Sequence, residues 1–255
     1  MIDTSVYDIF EGMTSISAVI KSIRAEYADR SIVKVIYDVD RITKKARELG
    51  FLKHAADELG FEMVPGDNDM ISSMASGTTH GGIIALCSKR QFPNLNVNYL
   101  TNGDFYALIE GIEDPYNFGY SIRSLYAAGA DGIILPERNW MEFAGTVARS
   151  SAGTSELSEI VLSDPIEAVK LFKERGFKII CSNIRDSVSL YDCDFTEPVL
   201  LVVGGEKRGI SRKILDLADI NVRIDYGREF LGSLPSVSAI SVMAFEIARK
   251  KGKIR

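Results

Sequence analysis

The 255-residue sequence predicts an α/β protein built on a mainly parallel sheet with helices on both of its faces. Three observations predict this fold class. Short β-branched and aliphatic runs alternate with longer stretches whose apolar positions recur at helical spacing. Glycine, proline or asparagine follows most of those short runs, where the chain must turn. The bulk composition, 46% hydrophobic and 25% charged, is that of a compact chain and not of a disordered one.

Taken in order, Ile16, Val19, Ile20 and Ile23 place a helix over 15–28, and "IVKVIYD" at 32–38 reads as a strand. "RITKKARELGF" is a helix that Gly50 closes, followed by a further helix "LKHAADELG", a strand "EMVPG" and a buried strand "GGIIAL" at 81–86. Residues 1–90 thus form a small α/β domain of their own. The stretch "SKRQFPNLNVNYLTNGD" mixes proline, asparagine and charge without periodicity, which marks 91–103 as a linker. In the second domain, 104–255, the strand "FYALIEGI" leads to a helix over 117–128 that Gly129 closes, and then to the strand "GIIL". Helices "WMEFAGTVARS" and "DPIEAVKLFKERG" precede the strand "FKIICSN". "PVLLVVGGE" is a strand entering a glycine turn, "ISRKILDLA" a short helix, "INVRI" a strand, and 236–250 the last helix.

The same residues exclude several function classes. Apolar runs such as "VLLVV" are far too short to span a bilayer, and no basic segment followed by an apolar one opens the chain, so no membrane partner or secretory signal is expected. Cys87, Cys181 and Cys193 are odd in number and lack C-x-x-C spacing, the pattern of free thiols in a cytoplasmic protein. His54 and His80 are the only histidines and have no ligand-spaced partner, so no metal is expected. The glycines of "GGEKRG" at 204, 205 and 209 fit neither a phosphate-binding P-loop nor a dinucleotide fingerprint. No G-x-S-x-G elbow is present. The net charge is −5, with 11 basic and 13 acidic residues up to position 90, so neither domain is globally basic. Basic residues nevertheless cluster in "RITKKAR", "EKRGISRK" and "RKKGKIR", a hint of phosphate contacts.

In parallel α/β folds ligands bind beyond the carboxyl ends of the strands. The unusual residues collect there: "NFGYSIR", "CSN", "VVGGEKRGIS" and "IDYGREFLGSLPS". In this order the second half of the chain resembles the SpoU/TrmH group of the SPOUT methyltransferases. "DPYNFGYSIRSLYAAGADGIIL" is similar to that family's first motif, an Asn-x-Gly with an arginine four residues on; "LLVVGGEKRGIS" is similar to the second, and "NVRIDYGREFLGSLPSVSAISVMAFEIAR" to the third. "EGMTSISAVIKSI" and "TTHGGIIAL" resemble the ribosomal-protein-like RNA-binding domain that many members carry in front.

The resemblance implies a deep trefoil knot at the carboxyl end, S-adenosylmethionine as cofactor, a homodimer with its active site near the subunit interface, and methylation of a ribose 2′-hydroxyl in rRNA or tRNA. It makes Arg123 the first candidate for a catalytic residue, braced by Asn117 and oriented by Glu206, with Ser233 in the third motif. A guanidinium keeps its proton at physiological pH, so Arg123 is read as binding ribose and phosphate and stabilising the forming alkoxide, not as a base. Ser182, Gly204, Gly205, Gly209, Ile224 and Leu234 match positions that hold the cofactor, while Lys44, Lys45 and Arg47 are candidates for RNA phosphates. A narrower version is a methyltransferase of large-subunit rRNA that confers antibiotic resistance. Two residues depart from the pattern: Asp225 stands where relatives have proline, and Pro235 where they have an asparagine expected near the methionine end of the cofactor. Pro235 keeps open an RNA-binding or assembly protein that retains the scaffold without the activity.

Overall fold

The structure, a computed structural model, describes residues 6–27, 29–78, 80–100, 103–137, 143–205 and 207–254. Contacts group them into two compact units, 6–91 with 143–157 and 92–137 with 158–254.

The first unit contains β1 (Asp8–Glu11), α1 (Gly12–Arg24), β2 (Ile32–Asp38), α2 (Ala46–Leu59), β3 (Glu62–Gly66), α3 (Asn68–Met74) and β4 (Ile83–Cys87). Its sheet runs β1-β4-β2-β3, with β4 antiparallel to both neighbours and β2 parallel to β3. Val35, Ala85 and Phe10 on one face meet Ile16, Val19 and Ile20 of α1 and Leu52 and Ala55 of α2, whereas Ile36, Ile84 and Leu86 meet Ile71 of α3 on the other. The sequence reading differs here in three places. Gly50 does not close a helix: α2 runs through it to Gly60, whose φ of 76° makes the real stop. An interior glycine costs about 1 kcal/mol against alanine, and the burial of Leu52 and Ala55 on either side of the next turn outweighs it. β1 and α3 were not read at all.

The remaining elements are β5 (Phe105–Ile109), α4 (Pro115–Ala127), β6 (Gly132–Leu135), α5 (Ala144–Ser150), β7 (Ile160–Leu162), α6 (Pro165–Glu174), β8 (Lys178–Ser182), β9 (Val188–Ser189), β10 (Val199–Val203), α7 (Arg212–Leu215), β11 (Ile220–Arg223) and α8 (Ser236–Lys250). All but α5 belong to the second unit, whose seven-stranded sheet runs β7-β6-β5-β10-β8-β11-β9 with every pairing parallel. Strand alternation divides the core. Tyr106, Leu108, Ile179, Cys181, Leu200 and Val202 pack against Phe172 of α6 and Ile214 of α7. On α4 and α8, which pack on each other, Ile122, Leu125, Ile240, Met243, Ala244 and Ile247 are buried. α4 ends as the sequence implies: Gly129 has φ 79° and Ala130 N–H returns to Leu125 O at 3.0 Å.

Residues 92–100, expected as a linker, extend the second unit: Leu95 N–H donates to Leu162 O at 2.8 Å, and Tyr99 packs on Tyr106 with ring centroids 5.6 Å apart. Conversely, α5 and its following turn, expected in the second domain, pack in the first unit. Glycine explains this docking. A Cβ on Gly145 would lie 2.1 Å from Ile9 O, and one on Gly153 would lie 2.4 Å from Ala18 Cβ, so backbone is seated directly on β1 and α1. Three arginines fasten it. Arg30, only 5% exposed, holds Asp8 at 2.6 Å and Glu156 at 2.9 Å and lies over the Phe10 ring; Arg149 holds Glu11 at 2.9 Å; Arg90 donates to Ser155 O at 2.7 Å. Removing one partner of a buried ion network strands the others without water, at about 3–5 kcal/mol. Arg30→Met is therefore expected to destabilise the protein by that amount in urea titration. Arg24→Ala, which breaks the exposed pair with Glu58, is expected to leave the urea midpoint close to that of the parent.

Candidate active site

β5 and β10 lie side by side, but the helices that follow them, α4 and α7, leave to opposite faces of the sheet. Such a divergence opens a crevice beyond the strand ends. Here two backbone segments meet without side chains between them. A Cβ on Gly205 would lie 1.9 Å from Gly111 O, and one on Gly204 would lie 2.1 Å from Gly209 C. The loop 204–211 closes on itself through Gly209 N–H to Gly205 O at 3.0 Å. It is pinned on one side by the Glu110 carboxylate, which accepts from Ser211 N–H at 2.9 Å, and on the other by the Ser236 hydroxyl, which donates to Gly204 O at 3.2 Å.

Beyond the ends of β8, β10 and β11 lies a cleft of ≈ 800 Å³. Ser182, Gly204, Gly205, Gly209, Ile224 and Leu234, the six positions read as cofactor-binding, all line it, as does Ser233. Sequence reasoning missed Tyr226, Arg228 and Phe230, which also line it. The Tyr226 and Phe230 rings meet edge to face at 5.6 Å, and the Tyr226 hydroxyl accepts from Leu234 N–H at 3.2 Å, tying the two ends of the third motif together. Aromatic residues in a glycine-rich loop beside a strand end were the available signal.

The departures from the family pattern have local accounts. Asp225 takes Arg223 Nε at 2.8 Å, and a hydrogen bond from Ser189 followed by that ion pair holds its carboxyl below the usual range. Pro235 lines the cleft at the N-cap position of α8, just outside the helix, with φ −52° and ψ 145°. Its carbonyl accepts from Ala239 N–H at 3.0 Å, but it offers no side chain to cap the first turn.

The catalytic candidates are distributed differently. Asn117 sits in the first turn of α4, where its N–H is capped by Asp114 at 2.8 Å, and lines a separate ≈ 120 Å³ hollow with Gly111, Glu113 and Lys207. Asp114 is thus the helix cap. Arg123 lies six residues beyond Asn117, about 9 Å up the helix axis. It is exposed, lines neither cavity and makes no hydrogen bond or ion pair among the described residues. Glu206 lies outside the described residues. Cys181, at the end of β8, is no nucleophile: burial, then Glu110 and Asp219, push its thiol up to about 12. Among the described residues no group of three His, Cys, Asp or Glu side chains could hold a metal ion, and no helix is long and apolar enough to cross a membrane.

The geometry has relatives. The model of the SpoU rRNA methylase family matches residues 104–245. The chain belongs to the SpoU rRNA methylase family. It is 28% identical over 239 residues, 91% of this chain and 93% of the relative, to a 23S rRNA (guanosine-2′-O-)-methyltransferase RlmB of Ralstonia nicotianae. Its fold is that of solved SpoU enzymes. The SpoU methyltransferase AviRb of Streptomyces viridochromogenes, in complex with AdoMet, superposes with TM-score 0.77 at 22% identity, covering 98% of this chain and 92% of that one. An AdoMet-bound rRNA methyltransferase of Sinorhizobium meliloti superposes with TM-score 0.77 at 21% identity, covering 97% and 88%.

The glycine crossing gives a direct test. Gly205→Ala is expected to destabilise the protein by about 3 kcal/mol, the upper end of overpacking costs, because the added methyl strikes a backbone carbonyl. Gly227→Ala, in the third motif but with open space around it, is expected to shift stability by no more than about 0.5 kcal/mol. Paired denaturant titrations check both.

Proposed function

We propose that this protein transfers the methyl group of S-adenosylmethionine to a ribose 2′-hydroxyl in ribosomal or transfer RNA. The observation that carries the reading is the cleft that the second and third of the family's ordered motifs line together, floored by glycine backbone. Its volume lies within the roughly 300–1,000 Å³ of small-ligand sites. Val203, Ile224, Leu234 and Met243 give an apolar lining suited to a heterocycle, and Arg228, with no partner among the described residues, offers a cation for a carboxylate. A Cβ at Gly204 or Gly205 would intrude on the loop that shapes this floor. The cofactor supplies an electrophilic methyl on a sulfonium.

The chain's own residues must then bind the ribose and lower the energy of its forming alkoxide. Arg123 does this with a fork of donors that stays charged at any physiological pH. Asn117 and Glu206 brace it, and Ser233 stands at the cleft. Because Arg123 lines no part of the cleft in its own chain, the complete site needs a second copy. A homodimer is supported by the exposed tyrosines Tyr116, Tyr120 and Tyr126 that flank Arg123 on α4, and by exposed Phe245 on α8. The apolar stripe of α8, by contrast, is buried within its own chain and argues for nothing beyond it. RNA phosphates meet Lys44 and Arg47, both exposed, with Lys45 held by Glu48 at 2.9 Å in the free protein. Such a substrate places the work in the cytoplasm. Pro235, in the cleft without an amide, favours the second reading of an RNA-binding or assembly protein with weak or no transfer.

Calorimetry is expected to show S-adenosylmethionine binding without added metal, and saturation at about 100 times Kd should add about 2.7 kcal/mol of stability. Arg123→Ala should keep fold and cofactor affinity while methyl transfer to RNA falls about a hundredfold or more, roughly 3 kcal/mol of barrier. Absence of heat rejects the cofactor, and undiminished transfer by the variant rejects the role of Arg123.

Pro235→Asn tests the departure in the third motif. An asparagine there caps α8, worth about 1 kcal/mol, and restores an amide able to bond a charged ligand, worth about 1.5–3 kcal/mol. Cofactor affinity or turnover is expected to rise about tenfold or more. No gain over an already active parent means that another group replaces the amide.

A further inference from the structure

The cleft beyond β8, β10 and β11 carries more positive charge than the proposed cofactor uses. Arg185, Arg223 and Arg228 line it, against the single carboxylate of Asp225 among the described lining residues. Arg223 is engaged within the fold: its Nε donates to Asp225 at 2.8 Å and its Nη1 to Ser187 O at 2.6 Å. Arg185 and Arg228 are exposed, and their guanidiniums make no hydrogen bond or ion pair among the described residues. S-adenosylmethionine has one carboxylate, which one guanidinium satisfies, while its ammonium and sulfonium repel a second. The surplus guanidinium, in a chain of net charge −5, is a site for another anion.

The loop that presents Arg185 is built without it. Four successive carbonyls, 184–187, each accept a side-chain donor. Ser187 Oγ donates to Ile184 O at 2.7 Å and Asn183 Nδ2 to Arg185 O at 3.1 Å. Asn221 Nδ2 donates to Asp186 O at 3.4 Å, and Arg223 supplies the bond to Ser187 O. Asp186 takes left-handed φ, 48°, a turn that residues other than glycine seldom make. The Arg185 guanidinium has no part in this frame, so the loop keeps its shape whether or not that group meets a ligand.

Phe230 is the second surplus group in the lining. Its ring is 56% exposed, and Leu231 beside it is wholly exposed. The ring is nevertheless held in place. It meets Tyr226 edge to face, and the Tyr226 hydroxyl is itself fixed by Leu234 N–H. Gly232 supports its tip, since a Cβ there would come 2.6 Å from Phe230 Cζ. An aromatic ring that is fixed yet more than half exposed is a stacking surface for a base.

We propose that Arg185 and Phe230 seat the nucleotide whose ribose is methylated, with the Phe230 ring against its base and the Arg185 guanidinium on an adjoining phosphate. Arg228 is then left to the carboxylate of the cofactor. The inference rests on the methyl-transfer reading above. Both groups belong to the lining of the cleft yet stay exposed, as its rim must be to meet a polymer. A phenylalanine face accepts any base, so this seat positions the ribose and leaves the choice of base to other contacts.

The test uses the full chain, S-adenosylmethionine with a labelled methyl group, and unmodified transcripts of ribosomal and transfer RNA. On a transcript that the parent methylates, Arg185→Ala is expected to raise KM for RNA about tenfold, the loss of one charged contact. It is also expected to flatten the slope of log binding constant against log salt by about 0.7–1, one phosphate's share. Arg185→Lys keeps the charge and is expected to keep that slope. Phe230→Ala is expected to lower kcat/KM about tenfold or more; Phe230→Tyr restores it, and Phe230→Leu, apolar but without a ring, does not. In all of these variants melting temperature and calorimetric S-adenosylmethionine affinity stay at parental values, whereas Arg228→Ala weakens cofactor binding about tenfold. Loss of cofactor affinity in Arg185→Ala, or an unchanged salt slope, overturns the phosphate contact. Full rescue by Phe230→Leu overturns the stacking. If the parent still methylates RNA in either event, the seat alone has failed and the methyltransferase reading stands. A parent that binds no cofactor fails that reading separately, and the salt slope, measured on RNA binding alone, still decides for or against Arg185.

Discussion

Two glycine backbones in van der Waals contact, at Gly111 and Gly205, are the constraint on which the catalytic unit depends. Every feature of the cleft is referred to that contact. It lets the 204–211 loop pass close enough to the exit of β5 for Glu110 to cap Ser211, and close enough to α8 for Ser236 to reach Gly204. Those two bonds set where the third motif begins and therefore where Ser233, Leu234 and Pro235 stand. A side chain at either position would push apart segments about a hundred residues distant in sequence, a displacement that a close-packed interior cannot absorb locally.

Charge in this protein is spent mostly on itself. In "RKKGKIR" the three lysines are engaged within the fold: Lys250 donates to Tyr191 O and Cys193 O, Lys251 to Asp104, and Lys253 to Asp104 and Asp131. These bonds clamp the end of α8 to the segment after β9 and to the residues just before β5 and β6. Asp104 loses some solvation there, but the hydrogen bonds from Lys253 and Lys251 prevail and its carboxyl titrates below the usual range. Its contribution is present above the unfolded pKa and is lost as pH falls through the depressed one. In "EKRGISRK", Lys207 pairs with Glu113 and Arg212 with Asp216. A charge run in a sequence shows only that solvent or a carboxylate is near; the fold decides which.

What was legible in the sequence follows the same logic. Strands β5, β8 and β10 and helices α4 and α8 declare themselves through local pattern, and the cofactor-lining positions follow from motif order. Arg123 was legible as a residue type but not as a location, since a helix places it outward and no local signal says what it faces. The docking of α5 on the first unit was not legible, because it depends on what Gly145 and Gly153 approach, Ile9 and Ala18, more than a hundred residues away. The Arg30–Asp8–Glu156 network fails for the same reason: each residue looks like ordinary surface charge until the chain brings the three together. Even α3 had a signal, Asp67 ahead of Met70, Ile71 and Met74, and its cap is that aspartate accepting Met70 N–H at 2.7 Å.

The family match begins at residue 104, so it includes the cleft beyond β8, β10 and β11 and none of the seven elements that open the chain. On the reading proposed above, the cleft is filled by the cofactor when it binds. Choice among RNAs therefore has to rest on groups outside it. On the proposed reading the first unit offers exposed Lys44 and Arg47, which would answer to any phosphate. Phosphate contacts set affinity and bases set identity. Lys44 and Arg47 sit on a unit whose core Arg30 ties to Asp8 and Glu156. The segment from 143 to 157 thus carries a structural duty that its position inside the family match does not suggest: it completes the core of the first unit.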